Sequence, residues 1–233
     1  MDLLTTTEDA INEMAAAIDR HYGRLDGLLH NASILGTRIP FANSSLNEWR
    51  DVMQVNFMAP VMLTRLLLPL VERSEDASVV FTSSSVGNKP RAYWGAYAIS
   101  KYALEGLALL LADELENTSP IRVNIVNPAA TRTAMRAAAY PAEDPGTVKT
   151  PDELMPLYLY LLGTDHQGEH GELFDPRTWK ARDRWQQTAF ITYSRNAPNP
   201  GYCPDIWKEQ SHERTLAHRA SSRSGYLHTH GRP

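Results

Sequence analysis

The chain has 233 residues, a formal net charge of −4, 42% hydrophobic residues and one cysteine, Cys203. That length suits one ordinary domain, or one domain with an appendage. The charge gives no electrostatic case for a nucleic acid or an anionic membrane surface, and a lone cysteine excludes an internal disulfide framework and fits a reducing, cytoplasmic setting.

The first residues, M-D-L-L-T-T-T-E-D-A, have no basic region followed by an apolar core, so they do not read as a signal peptide. Thr5 and Glu8 have capping-box spacing, and Ile11, Met14, Ala15, Ile18 and Tyr22 then recur at helical intervals before Gly23. This predicts an amphipathic helix over 7–22. The run L-D-G-L-L-H at 25–30 reads as a short buried strand opening into a loop at Asn31. A long helix is expected over 46–72, with Pro60 and Pro69 bending it or marking its end. Its most apolar run, 57–70, is read as too short and too interrupted to span a bilayer.

Residues 77–81 read as a second strand, feeding the serine cluster Ser83-Ser84-Ser85. A third helix is expected over 93–116 and a third strand over 121–126, ending at Asn127-Pro128. Residues 130–148 read as a long alanine-rich connection. Thr150-Pro-Asp-Glu starts a helix over 154–162, and 172–175 reads as a last short strand. Strand and helix alternate, which argues for an α/β fold with a parallel sheet covered on both faces. From residue 177 the periodicity is lost, so 1–176 is expected as the folded domain and 177–233 as a disordered or loosely docked tail.

Tyr97 and Lys101, at i and i+4, share one helix face. A lysine cation that close should favour phenolate and lower the tyrosine pKa. A hydroxyl from Ser83, Ser84 or Ser85 could then hold a substrate oxygen, and the parts together suit proton transfer at an alcohol or carbonyl oxygen. Asn56, set among Val, Met and Phe, is costly there unless hydrogen-bonded. Tyr93, Trp94, Met135 and Tyr140 could line a pocket or pack a lid. Asp165, His166, His170, His228 and His230 could suggest a metal cluster, but read as solvated loop residues and no metal site is expected.

Five motifs in order give the chain a family likeness. H-N-A-S at 30–33, V-N-F at 55–57, S-S-V-G at 84–87, Y-A-I-S-K at 97–101 and N-P-A-A-T-R-T at 127–133 resemble those of the short-chain dehydrogenases/reductases, over about residues 2–176. F-T-S-S-S-V-G, T-R-T-A-M-R and E-D-P are similar to phrases of a bacterial oxidoreductase branch. The resemblance implies a Rossmann-like doubly wound sheet and NAD(P)-dependent hydride transfer between an alcohol and a carbonyl, with a small-molecule substrate and a homo-oligomer. It further implies Tyr97 as acid/base, Lys101 lowering its pKa and binding the nicotinamide ribose, Ser84 on the substrate oxygen, and Asn56 holding a water in a proton relay. The spacing from Ser84 to Tyr97 selects Ser84 within the cluster. Asn31, Ala32, Ser33, Pro128, Thr131 and Thr133 would lie along the cofactor, NAD or NADP, and Asp2 would match an adenine-contacting aspartate.

Two departures from the family pattern stand out. Ser33 and Ala129 replace glycines. The T-G-x-x-x-G-x-G turn that cradles a pyrophosphate, and the strands around it, do not occur in the sequence. The expectation is therefore an N-terminally truncated member holding strands four to seven of the family's sheet, with 25–30 as an exposed edge. A catalytically silent fragment acting only through association is the alternative reading.

Overall fold

The computed structural model describes residues 1–180. The elements, in chain order, are α1 (Glu8–Tyr22), β1 (Gly27–His30), α2 (Leu46–Met53), α3 (Ala59–Val71), β2 (Ser78–Thr82), α4 (Gly95–Leu115), β3 (Arg122–Val126), α5 (Ala134–Ala139), α6 (Met155–Leu162) and β4 (Leu173–Phe174). The four strands form one parallel sheet in the order β1-β2-β3-β4. This is the α/β, Rossmann-like arrangement that the alternation predicts, with β1 at an edge.

Period-two alternation decides what each face of the sheet meets. Val79 and Phe81 of β2 and Val123 and Ile125 of β3 pack with Leu104, Ala108 and Ala112 of α4 and Val71 of α3 in one apolar cluster. The alternate residues face α6 and are partly polar, so each needs a partner. Ser78 Oγ donates to the Leu161 carbonyl at 2.7 Å, and Arg122 Nη1 donates to the same oxygen at 2.9 Å. Thr82 Oγ1 meets the Tyr158 phenol at 3.0 Å. A sheet face carrying serine, threonine and arginine is thereby closed without orphaned groups.

Helix α1 is capped by Thr7, whose hydroxyl accepts from the Ala10 N–H, rather than by Thr5; Gly23 closes it in the left-handed region at φ 73°. The expected long helix runs unbroken over Leu46–Val71, 26 residues, through a π-helical turn at Gln54–Met58. By length and composition alone it would suffice to cross a membrane, which corrects the reading of 57–70 as too short. Its buried Ala59, Thr64, Leu67, Leu70 and Val71 belong to a core helix packed on α1 and β1. Pro60 falls in the first turn of α3, and Pro69 sits two residues from the helix end, so neither breaks the helix.

Within 130–148 the chain forms a helix that the sequence reading missed. Six residues, Ala134–Ala139, are nucleated by Thr133, whose hydroxyl accepts from the Arg136 N–H at 3.1 Å. The Thr150 capping box is present, with Glu153 Oε2 accepting from the Thr150 N–H at 2.6 Å, but it opens a 3₁₀ turn at Pro151–Leu154 that runs on into α6.

His166 Nε2 lies 2.9 Å from Asp76 Oδ1. His170 Nδ1 accepts from the Val123 N–H at 3.2 Å, so its Nε2 carries the proton facing the Ala112 carbonyl at 2.7 Å. His166 ties the loop 163–172 to the bend before β2, and His170 ties it to β3 and α4. Of the tail expected from 177, Trp179 rests 5.6 Å from the Tyr160 ring. Residues 181–233, with Cys203, His228 and His230, lie outside the described residues.

Candidate active site

In a parallel sheet all carboxyl ends point the same way, and ligands collect there. β1 delivers Asn31-Ala32-Ser33, β2 delivers Ser83-Ser84 and β3 delivers Pro128-Ala129 to one cavity of about 470 Å³. Helix α4 adds Tyr97 and Lys101 from its first two turns, and the segment after β3 adds Thr131 and Thr133. Nine of the sequence-predicted residues (Asn31, Ala32, Ser33, Ser84, Tyr97, Lys101, Pro128, Thr131 and Thr133) therefore line one space.

Two predicted residues do not. Asp2 sits in a separate shallow hollow with Met1, Thr5, Thr6, Ala10 and Met14, and its carboxylate accepts from the Leu4 N–H at 3.0 Å. Asn56 lies behind the cavity wall, 1% exposed. Its Oδ1 accepts from the Ile34 N–H at 2.8 Å, and its Nδ2 donates to the Ile34 carbonyl at 2.9 Å and to Ser100 Oγ at 3.0 Å. Ser100 Oγ in turn donates to the Tyr97 carbonyl at 2.8 Å. Both amide hydrogens are thus committed to protein. The side chain joins the loop after β1 to the first turn of α4 and has no donor left to hold a relay water. The Asn56 backbone carbonyl has no i+4 N–H to accept from, because Pro60 stands there.

The electrostatics of the pair also differ from the sequence expectation. Tyr97 is 7% exposed, and burial raises its phenol pKa; the Ser84 and Ser33 hydroxyls, both on the phenol side, act the other way. Lys101 Nζ is 5.7 Å from the Tyr97 ring centroid and donates to the Thr82 carbonyl at 2.8 Å. The shared helix face holds, but the net pKa change at Tyr97 is upward. Burial lowers Lys101 itself to about 8, with the Glu105 carboxylate opposing that shift. Ser33, standing where the family has glycine, adds a buried hydroxyl that forms no full hydrogen bond of its own.

The three serines are distinguished by their neighbours. Ser83 Oγ donates to Glu105 Oε1, while Ser84 faces the Tyr97 phenol. Beyond them the cavity is walled by Trp94, Met135, Ala139, Tyr140, Leu154 and Met155. Tyr93 is not among its lining; it is 56% exposed, at φ 72°. Tyr158 and Arg136 also line the space and were not singled out in the sequence. Tyr158 lies in an apolar run with no motif around it. The Arg136 guanidinium stacks 3.8 Å from the Tyr140 ring centroid and pairs with Glu143, and the Arg38 guanidinium lies 4.6 Å from the Trp94 centroid and 5.1 Å from that of Tyr140. Arg38 has no sequence signal, because its partners Trp94 and Tyr140 lie on distant segments, whereas the Arg136 partners follow it at i+4 and i+7.

The family model described as short chain dehydrogenase matches residues 1–144. The uncharacterized oxidoreductase YciK of Escherichia coli K12 is 52% identical over 175 residues, covering 75% of this chain and 69% of its own length. The chain belongs to the short chain dehydrogenase family. It is thereby an oxidoreductase by family. Among solved structures, a short chain dehydrogenase of Shigella flexneri 2a complexed with NADP superposes with a TM-score of 0.73 at 51% identity, covering 76% of this chain and 73% of that one. One from Escherichia coli CFT073 complexed with NADPH matches with the same TM-score, identity and coverage. The alternative of a silent fragment finds no support in these likenesses.

Proposed function

We propose that this chain interconverts an alcohol and a carbonyl compound with a nicotinamide cofactor, NAD or NADP, using Tyr97 as the proton donor and acceptor. The observation that carries the reading is the convergence of Ser84, Tyr97 and Lys101 with the candidate cofactor wall on one cavity at the carboxyl ends of the strands. The wall fits the nicotinamide end of a dinucleotide. Asn31, Ala32, Ser33, Pro128, Thr131 and Thr133 present small or polar groups, Ser33 has a hydroxyl with unspent hydrogen-bonding capacity, and Lys101 would meet the ribose. The cofactor, when bound, supplies or takes the hydride.

The side chains of this protein handle the proton. In the reducing direction the Tyr97 phenol, kept protonated by its burial, donates its proton to the oxygen that gains charge as the carbonyl is reduced. Ser84 holds that oxygen by a hydrogen bond on the same side. Lys101, with its pKa brought to about 8, exchanges a proton readily near neutral pH and keeps a cation beside the forming phenolate. The side chain of Asn56 holds Ile34 and the Tyr97 turn in place. Trp94, Met135, Ala139, Leu154 and Met155 give the substrate side an apolar wall, which favours a small apolar ketone or alcohol.

The test is nicotinamide-dependent turnover of a panel of ketones and alcohols. Tyr97→Phe, which keeps the ring and removes the proton, should lower kcat by at least about 100-fold. Turnover unaffected by that change would refute the assignment.

A further inference from the structure

One turn beyond Lys101 on α4 stands Glu105, a partly buried carboxylate that the proposed chemistry leaves unused. It accepts a hydrogen bond from Ser83 Oγ, and Ser83 is 2% exposed and immediately precedes Ser84. The Ser83 N–H is itself tied to the Val126 carbonyl at 2.7 Å, so this residue joins β2, β3 and α4 at the floor of the cavity. The contact is built into the chain: a Cβ added at Gly87 would lie 2.5 Å from both Glu105 Oε1 and Ser83 Oγ. Only glycine leaves room for the carboxylate to reach the serine there.

A surface glutamate on a helix would need none of this. Burial raises the Glu105 pKa, while the Ser83 hydroxyl and the Lys101 cation both favour the carboxylate. In return the carboxylate favours the Lys101 ammonium against the effect of burial. Among the described residues Glu105 is the charged group acting on Lys101, and Lys101 the one acting on Glu105. The ammonium also donates to the Thr82 carbonyl and lies 5.7 Å from the Tyr97 ring centroid.

We propose that Glu105 is a positioning residue of this centre: through Ser83 it holds the turn that carries Ser84 against α4, and it sets a carboxylate one helical turn from Lys101. The inference rests on the proposed proton-transfer role of Tyr97 and Lys101, and it assigns the two neighbours of the motif residues, Ser83 and Glu105, to a second layer beneath them. Gly87 belongs to the same device by what it lacks.

The deciding measurement follows Lys101 directly, on the full chain and independently of turnover. The rate of reductive methylation of Lys101, read by peptide mass spectrometry across pH, reports the protonation of its amine. Glu105→Gln keeps the size of the side chain and removes its charge, so the half-maximal pH should fall by at least about half a unit. An unchanged half-maximal pH in a folded E105Q protein would overturn the electrostatic part. Glu105→Asp keeps the charge but draws it back from Ser83: its methylation midpoint should stay near that of the parent. Its kcat, and that of Ser83→Ala, should drop about fivefold with KM little changed. Parent-like kcat in both would overturn the turn-holding part. Tyr97→Phe, measured alongside, separates this outcome from failure of the acid/base reading, because the Lys101 titration does not depend on turnover.

Discussion

Ala129 occupies the left-handed region at φ 58°, in the turn between β3 and Thr131 that lines the candidate cofactor wall. A side chain with a Cβ pays roughly 1–2 kcal/mol there, and glycine does not. The turn is held regardless: the Ala129 N–H donates to Asn127 Oδ1 at 3.2 Å, and Thr131 Oγ1 donates to the Pro128 carbonyl at 3.1 Å. Ala129→Gly should therefore raise stability by about 1 kcal/mol, after the extra chain entropy of glycine is set against the relieved strain. In a thermal melt that is about 2–4 °C for a domain of this size. A lower melting temperature would show that the alanine methyl earns its place by packing. The sequence already marked Ala129 and Ser33 as departures from glycine, but only the backbone separates them. Ala129 is strained, whereas Ser33 is outside the positive-φ region and has instead brought a hydroxyl beside Tyr97.

At the scale of elements, β1 and α3 meet through a buried histidine. The His30 ring stacks on Phe81 of β2 at 4.7 Å, and its Nε2 lies 2.8 Å from Thr64 Oγ1 on α3. Burial lowers its pKa from 6.5 to about 4, so the folded protein keeps it neutral. Above pH 6.5 the ring is neutral whether the chain is folded or not, and its contribution to stability is whole. As the pH falls below 6.5 the unfolded chain takes up a proton that the folded one refuses. Stability should then drop by up to about 1.4 kcal/mol per pH unit, to a total of about 3 kcal/mol near pH 4. Urea denaturation at pH 7, 6 and 5 would show the slope, and His30→Asn should flatten it over that window. A parent protein equally stable at pH 7 and 5 would show that the ring finds water or a partner when charged.

The elements themselves were legible where hydrophobic periodicity was long and the ends were punctuated: α1, α4, β2 and β3 fall within a few residues of where the pattern puts them. What was not legible has a common cause. α5 is six residues long, too short for a helical period to emerge from an alanine-rich stretch, and its start depends on the Thr133 cap. The π-helical turn at Gln54–Met58 has no compositional mark except Pro60 after it. The Asn56 side chain shows the same limit at a site residue. Burial among apolar neighbours foretold that it must be hydrogen-bonded, but not that Ile34 and Ser100, 22 and 44 positions away in the chain, would take all its donors.

For the molecule as a whole, the cavity lining decides how much of a dinucleotide these residues hold. The cavity gathers residues suited to the nicotinamide and its ribose, and no glycine among the described residues lines it to set backbone N–H groups around a pyrophosphate. Binding energy should then come almost wholly from the nicotinamide half. Reduced nicotinamide mononucleotide should bind this chain within about threefold of NADPH, and both in the millimolar range, worth about 4 kcal/mol of binding. At ten times Kd either ligand would raise stability by about 1.4 kcal/mol, which a thermal-shift titration resolves as a few degrees. NADPH binding at micromolar concentration, or a hundredfold preference for it over the mononucleotide, would contradict this. Some other part of the chain would then have to grip the adenylate half, and the proton-transfer centre around Ser84, Tyr97 and Lys101 would work with a fully anchored cofactor rather than with one held by its reactive end.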